Sequence, residues 1–359
     1  MTTALAARIA RDYGTPAVVI DMERVARNIA RVQDLCDRVG LANRPHIKTH
    51  KSPLLAQMQV EAGARGITCQ KLGEAEVMAE AGLDDILISY NLLGEEKMAR
   101  LGRLLRGTGV TVAADNPTVV AGLARAAALA ERSLPVVVEC DTGRKRAGVE
   151  MPAEAVTLAR AIAATPGLSF AGLMLYPTED GWPQAQRFLD AATAGLHDAG
   201  LAPAIVSTGG SPNLPHLGEL KGATEHRPGT YIFNDRMQVA AGVAGWDDCA
   251  LTVYATVVSR AARNRGILDA GSKTLTADTG GLDGFGSILD YPQARISGFA
   301  EEHGFLDLSR SPTQPQVGEV VRIVPNHVCV VVNMVDELVM VRDEEIVGTL
   351  PVAARGRLR

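Results

Sequence analysis

The chain has 359 residues, of which 47% are hydrophobic and 21% charged, and a formal net charge of −5. That length suits one large α/β domain with a smaller companion, and the mild acidity excludes a bulk basic footprint for nucleic acid. Five scattered cysteines do not form a disulfide framework, no run of about 18 apolar residues is present for a membrane span, and an N-terminus with charges inside its apolar stretch does not read as a signal peptide, so a reducing cytoplasm is the expected compartment.

Taken in chain order, PAVVID (16–21) is a strand-like run that either leads into the first domain or joins the second. Val25, Ile29, Val32, Cys36 and Val39 then form an apolar stripe at helical spacing, with Asp21 as N-cap and Gly40 as the residue beyond its end. Eight short runs bounded by turn residues follow: RPHIK (44–48), GITCQ (66–70), DILIS (85–89), VTVAA (110–114), LPVVVEC (134–140), GLMLY (172–176), AIVSTGG (204–210) and GTYIF (229–233). Amphipathic segments separate them, two opening with a capping residue and a proline, Ser52-Pro53 and Asn116-Pro117. Apolar strands alternating with helices predict a closed (β/α)8 TIM-type barrel over residues 1–235, with an open doubly wound sheet as the alternative. From residue 236 to 359 the runs are strand-like and helical periodicity nearly disappears, which predicts a mostly β second domain, with residues 1–20 able to pair with it.

The chemistry-bearing residues concentrate at predicted strand ends, where parallel barrels carry their sites. Alternation along the first strand points His46 and Lys48 into the barrel, where burial favours the neutral amine that Schiff-base chemistry needs; a solvated basic turn is the plainer reading. After the seventh strand, Ser207-Thr208-Gly209-Gly210 offers hydroxyls and amides to a phosphate, and Arg227-Pro228-Gly229-Thr230-Tyr231 follows on the eighth. A lysine combined with a phosphate cradle points to pyridoxal 5'-phosphate. In the second domain, Pro325-Asn326-His327-Val328-Cys329 read as a strand places His327 and Cys329 on one face, able to share a Zn²⁺; a core cysteine beside a satisfied histidine is the plainer reading.

RPHIKTHK (44–51), ECDTGRKRAGV (139–149), STGG (207–210), TEHRPGTYIFND (224–235) and PNHVC (325–329) together resemble the D-threonine aldolase and D-serine dehydratase family, whose members share the alanine-racemase type of fold. The resemblance implies a lyase acting on a small D-3-hydroxy amino acid, by retro-aldol cleavage or by dehydration. A racemase or a non-catalytic carrier of the cofactor are the further alternatives. It implies that Lys48 carries the cofactor, that His46, Gln70 and Tyr231 line its pocket, and that Tyr176 lies near Lys48. It implies further that Arg146 approaches the ring oxygen, that Arg227 faces the pyridine nitrogen unless it pairs with Glu225 or Asp235 instead, and that Thr208, Gly209, Gly210, Gly229 and Thr230 hold the phosphate. His327 and Cys329 would hold the metal, and a homodimer is expected. His-x-Cys rather than His-x-Asp, and the absence of histidines shortly after Tyr176, lean towards the dehydratases.

Overall fold

The computed structural model describes residues 2–359 and divides into two compact units. One comprises residues 30–48, 52–229 and 356–359, the other residues 2–29, 49–51 and 230–355. The strands, in chain order, are β1 (Ala17–Asp21), β2 (Ala42–Asn43), β3 (Ile67–Cys69), β4 (Ile86–Ile88), β5 (Val110–Ala114), β6 (Leu134–Cys140), β7 (Leu168–Leu175), β8 (Ile205–Gly209), β9 (Glu225–Arg227), β10 (Leu251–Ala262), β11 (Arg265–Leu268), β12 (Ser287–Ile288), β13 (Arg295–Phe299), β14 (Gly304–Asp307), β15 (Val320–Val324), β16 (Glu337–Arg342) and β17 (Glu345–Pro351).

The first unit is a parallel barrel. Its eight strands run in the order β2-β9-β8-β7-β6-β5-β4-β3, every pairing parallel. The ring closes between its ends through the parallel bridge of His46 to Thr68 and the hydrogen bonds Arg65 N to Asn43 O (2.9 Å) and Thr68 N to Pro45 O (2.8 Å). Leu87, Ala113, Val137 and Met174, from four successive strands, form one apolar cluster; the same parity on β6 continues to Glu139. The helix starts follow from the capping chemistry: Ser52 accepts from Leu55 N and Asn116 from Val119 N, each ahead of a proline in the first turn.

Two of the expected barrel strands differ. RPHIK contributes only the bridge at His46, because the strand is Ala42–Asn43 and Ile47–Thr49 is a 3₁₀ turn. Pro45 has no N–H to extend the ladder. GTYIF is not the eighth strand; Glu225–Arg227 is, with Thr230–Ile232 a 3₁₀ turn after Pro228. Lys48 and Tyr231 therefore sit on tight turns, and alternation along a strand is not what orients Lys48.

The second unit is a mostly β body whose main sheet path is β13-β14-β11-β10-β1-β16-β17, with β15 paired to β10 and β12. The early strand β1 lies antiparallel to β10, Val18 opposite Val253, and parallel to β16, Val19 opposite Val339. Ala6 and Ile9 of the first helix pack with Val19, Tyr254 and Val339 in its core. Here too one expectation fails: VCVVVNMV is not a strand but the helix Val328–Met334, with His327 as its N-cap residue. The β-branched run is overridden by a tertiary contact, the Asp235 carboxylate accepting from Val328 N at 3.1 Å and so satisfying the helix's first donor.

Candidate active site

In the barrel unit, Lys48 occupies the 3₁₀ turn after β2, and its own N–H donates to His46 Nδ1 at 3.4 Å. His46 Nε2 donates to Gln70 Oε1 at 3.1 Å, and Gln70 Nε2 in turn donates to Ser89 O at 3.2 Å. With a donor on one ring nitrogen and an acceptor on the other, His46 is a neutral imidazole of fixed tautomer. Burial, and next the Lys48 charge, hold it well below the usual histidine range. Gln70 therefore acts first as the residue that orients His46.

At the ends of β8 and β9, Thr208 Oγ1 is buried with no hydrogen-bond partner among the described residues. Gly210 has φ +105°, and a Cβ there would lie 2.3 Å from the Tyr176 ring; glycine is needed both for the backbone and for the space. Gly210 N donates to Arg227 O at 3.1 Å and Gly229 N to Ser211 Oγ at 3.1 Å, while Asn213 Nδ2 donates to Gly209 O at 2.9 Å. An orphaned buried hydroxyl beside a glycine-lined turn fits an acceptor-rich phosphate.

Tyr176 is flanked by two guanidinium groups, Arg144 at 4.3 Å and Arg146 at 5.4 Å from its ring centre. Arg146 reaches Glu139 Oε1 at 3.7 Å. Burial raises the Glu139 carboxyl, and Arg146 and then Arg227 oppose that shift. Arg227 makes no ion pair with Glu225: its Nη1 donates to Ser207 Oγ at 2.6 Å and its Nη2 to Leu175 O at 3.0 Å. Burial lowers it to about 10, where it still keeps its proton at neutral pH.

In the β unit, His327 Nδ1 donates to Asp278 Oδ2 at 2.6 Å, which leaves Nε2 as the nitrogen that could ligate a metal. The neighbouring Cys329 thiol, and then Asp278, push His327 up to about 9 against the cost of burial. Cys329 Sγ lies 3.2 Å from Thr49 Oγ1 and 3.7 Å from Thr230 Oγ1. Thr230 is thus placed at the thiol, and Tyr231, beside it in the 3₁₀ turn, is fully buried and accepts through its carbonyl from Asn234 Nδ2 at 3.0 Å. Among the described residues no group of three or more His, Cys, Asp or Glu side chains could hold a metal, so the protein would supply two ligands and leave the remaining positions open.

Sequence reading missed Ser89 and Glu139 in the barrel and Thr49 and Asp278 in the β unit; it offered Ser207 to a phosphate, whereas Ser207 Oγ bonds Glu225 and Arg227, and it had Glu225 and Asp235 only as ion-pair partners of Arg227. Parity along β6 could have marked Glu139, since it shares the apolar cluster's face. Nothing local marks Asp278, which lies 49 residues from His327.

A parallel barrel with a lysine turn after its first strand and a glycine cradle at its last two defines the alanine-racemase class of barrels, and residues 20–237 match the family model "Alanine racemase, N-terminal domain". Residues 250–341 match a serine dehydratase domain model. The chain belongs to the D-threonine aldolase and D-serine dehydratase family. A D-threonine aldolase from Arthrobacter sp. is 34% identical, with 95% of this chain and 93% of the relative covered. The crystal structure of D-threonine aldolase from Filomicrobium marinum superposes with TM-score 0.89 at 32% identity, covering 96% of both chains. A metal-free cysteine-to-alanine mutant of a D-threo-3-hydroxyaspartate dehydratase superposes with TM-score 0.85 at 29% identity, covering 98% of this chain and 99% of that one. The aldolases and dehydratases of the family are pyridoxal-phosphate-dependent lyases, and this chain is an enzyme of that kind.

Proposed function

We propose that this enzyme cleaves D-3-hydroxy amino acids in the manner of a D-threonine aldolase, to glycine and an aldehyde. The observation that carries the reading is the pairing of a lysine turn backed by a neutral, tautomer-fixed histidine with an orphaned hydroxyl in a glycine cradle. Lys48 would hold the cofactor covalently through Nζ. Thr208, Gly209, Gly210 and Gly229 would take its phosphate, joined by Thr230 through its backbone N–H since its hydroxyl lies at the Cys329 thiol, and Arg146 and Arg227 would bound its ring. When bound, pyridoxal phosphate supplies the electron sink for bond breaking at Cα.

His46, fixed as a donor to Gln70, offers no proton to Lys48 and so leaves that amine as the proton carrier of the pocket. Tyr176, held between Arg144 and Arg146, orients its phenol where two positive charges favour a developing oxyanion. His327 and Cys329 would hold a divalent metal, zinc by the thiolate's preference, whose Lewis acidity serves the substrate's β-hydroxyl. Asp278 fixes the histidine's tautomer for that task. We place the enzyme in the cytoplasm as a homodimer, in keeping with five cysteines and no disulfide among the described residues.

Dehydration to a 2-oxo acid and ammonia is the second reading, and the thiolate ligand favours it. In that case Lys48 removes the α-proton and the β-hydroxyl departs. Product analysis decides. D-Threonine giving glycine and acetaldehyde supports cleavage; D-serine or D-threonine giving 2-oxo acid and ammonia supports dehydration. Accumulation of the L-enantiomer alone would overturn both.

A further inference from the structure

A chain of buried polar groups runs through the barrel from its strand starts to its strand ends. Asp85, just ahead of β4, binds Arg44 Nη1 through Oδ1 at 2.8 Å, and Arg44 Nε donates to Glu225 Oε2 at 2.8 Å. The other carboxylate oxygen of Glu225 accepts from Ser207 Oγ at 2.5 Å, and Ser207 Oγ accepts from Arg227 Nη1 at 2.6 Å. Glu225 and Ser207 are wholly buried and Arg44 is 3% exposed, while the Asp85 side chain reaches solvent.

Burying two arginines is costly unless their charge is met. The arrangement meets it asymmetrically. Arg44 has two carboxylates in direct contact, Asp85 and Glu225. Arg227 has none within bonding distance: a hydroxyl stands between it and Glu225, and a carbonyl takes its other terminal nitrogen. A direct ion pair would pull the guanidinium down onto Glu225 and fix its plane to that carboxylate. The serine instead holds it at the strand ends, and the two bonds engage only two of its five N–H donors.

We infer that Ser207 and Glu225 are positioning residues for Arg227, a hydroxyl–carboxylate relay that fixes the direction in which its guanidinium faces the cofactor ring. The relay rests on the reading that Arg227 faces that ring. It acts only through Arg227, since neither Ser207 nor Glu225 touches substrate in this arrangement. Without the hydroxyl, Glu225 keeps Arg44 as its partner, and Arg227 keeps Leu175 O but loses its orientation.

The test uses the holoenzyme. Ser207→Ala removes one oxygen and leaves both charges. Losing a charge-assisted hydrogen bond should lower kcat by about tenfold with KM little changed, and move the pH midpoint of the cofactor's visible absorbance. In an Arg227→Lys background the same substitution should have almost no further effect on either readout, because the partner it positions is gone. Equal effects of Ser207→Ala in the two backgrounds, or a titration superimposable on the wild type, would overturn the relay. If Arg227→Lys alone leaves the titration superimposable on the wild type, the reading that Arg227 faces the ring fails instead, whereas a shift with Arg227→Lys and none with Ser207→Ala overturns the relay alone, so the two failures are distinguishable.

Discussion

The barrel and the β unit hold their reactive side chains in different ways. In the barrel, each proposed one follows a strand end or a turn set by the parallel ladder: Lys48 after β2, Thr208 on β8, Arg227 closing β9. In the β unit, His327 and Cys329 stand at the start of a seven-residue helix that is too short and too β-branched to form by its own propensity. That helix depends on a carboxylate from Asp235 and its histidine on one from Asp278. A ladder of many weak, periodic contacts places chemistry robustly. A pair of single long-range contacts places it conditionally, and each can be removed by one substitution.

The contrast can be pressed hardest at Lys48. Lys48→Ala should abolish the cofactor's visible absorbance and lower kcat by more than about a thousandfold, while the fold, set by the ladder, keeps its far-ultraviolet circular dichroism. Survival of the visible band would remove Lys48 from its role. In the β unit, Cys329→Ala should empty the metal site and cost about a hundredfold in turnover, as chelation should in the wild type, with zinc restoring only the latter. Asp278→Asn should lower metal affinity by about tenfold to a hundredfold and recover activity at high metal concentration; unchanged zinc retention would show that the Nδ1 bond does not tune the site.

Smaller effects concern stability. Asp235 is buried and caps two helix starts, its own through Gln238 N at 3.0 Å and that of Val328–Met334. Asp235→Ala should cost about 2 kcal/mol or more in urea unfolding and weaken zinc retention together with it. The second stability effect is a pH dependence. His226 is buried, donates through Nε2 to Gly210 O at 3.1 Å, and is lowered by burial to about 3. Its unfolded form titrates near 6.5. The unfolded chain therefore binds the extra proton, so the His226 contribution is complete above pH 6.5 and is lost as pH falls towards 3. The stability difference between the wild type and His226→Gln should move against the wild type across that window by up to about 1.4 kcal/mol per pH unit. A difference that stays constant with pH would contradict it.

The same contrast explains how far the sequence could be read. The βα rhythm, the caps at Ser52 and Asn116 and the pairing of an early strand with the later sheet all rest on local chemistry, and all are legible. Pro45 and Pro228 are legible as well: each lacks an N–H, the last ladder bonds are to their carbonyls, and a 3₁₀ turn follows each, so Lys48 and Tyr231 lie on turns rather than strands. The helix at Val328 was illegible because Val-Cys-Val-Val-Val is a strand pattern by any local measure, and the carboxylate that overrules it lies 93 residues away. The joint role of Ser207 and Glu225 was hidden for a related reason. A buried serine and glutamate on short strands announce themselves only once the arginines they bind are seen.

The cysteines divide in a way that bears on oxidation. Burial pushes Cys36 and Cys249 up to about 12 and raises Cys69 and Cys140 as well, so those four thiols are poor nucleophiles closed off from reagents. Cys329 alone of the five is partly open to solvent. Oxidative damage and thiol-directed labels would therefore converge on the one sulfur proposed to bind metal, and bound zinc would act as its protecting group. With zinc so bound, the enzyme's tolerance of an oxidising environment would be a matter of metal supply rather than of fold stability.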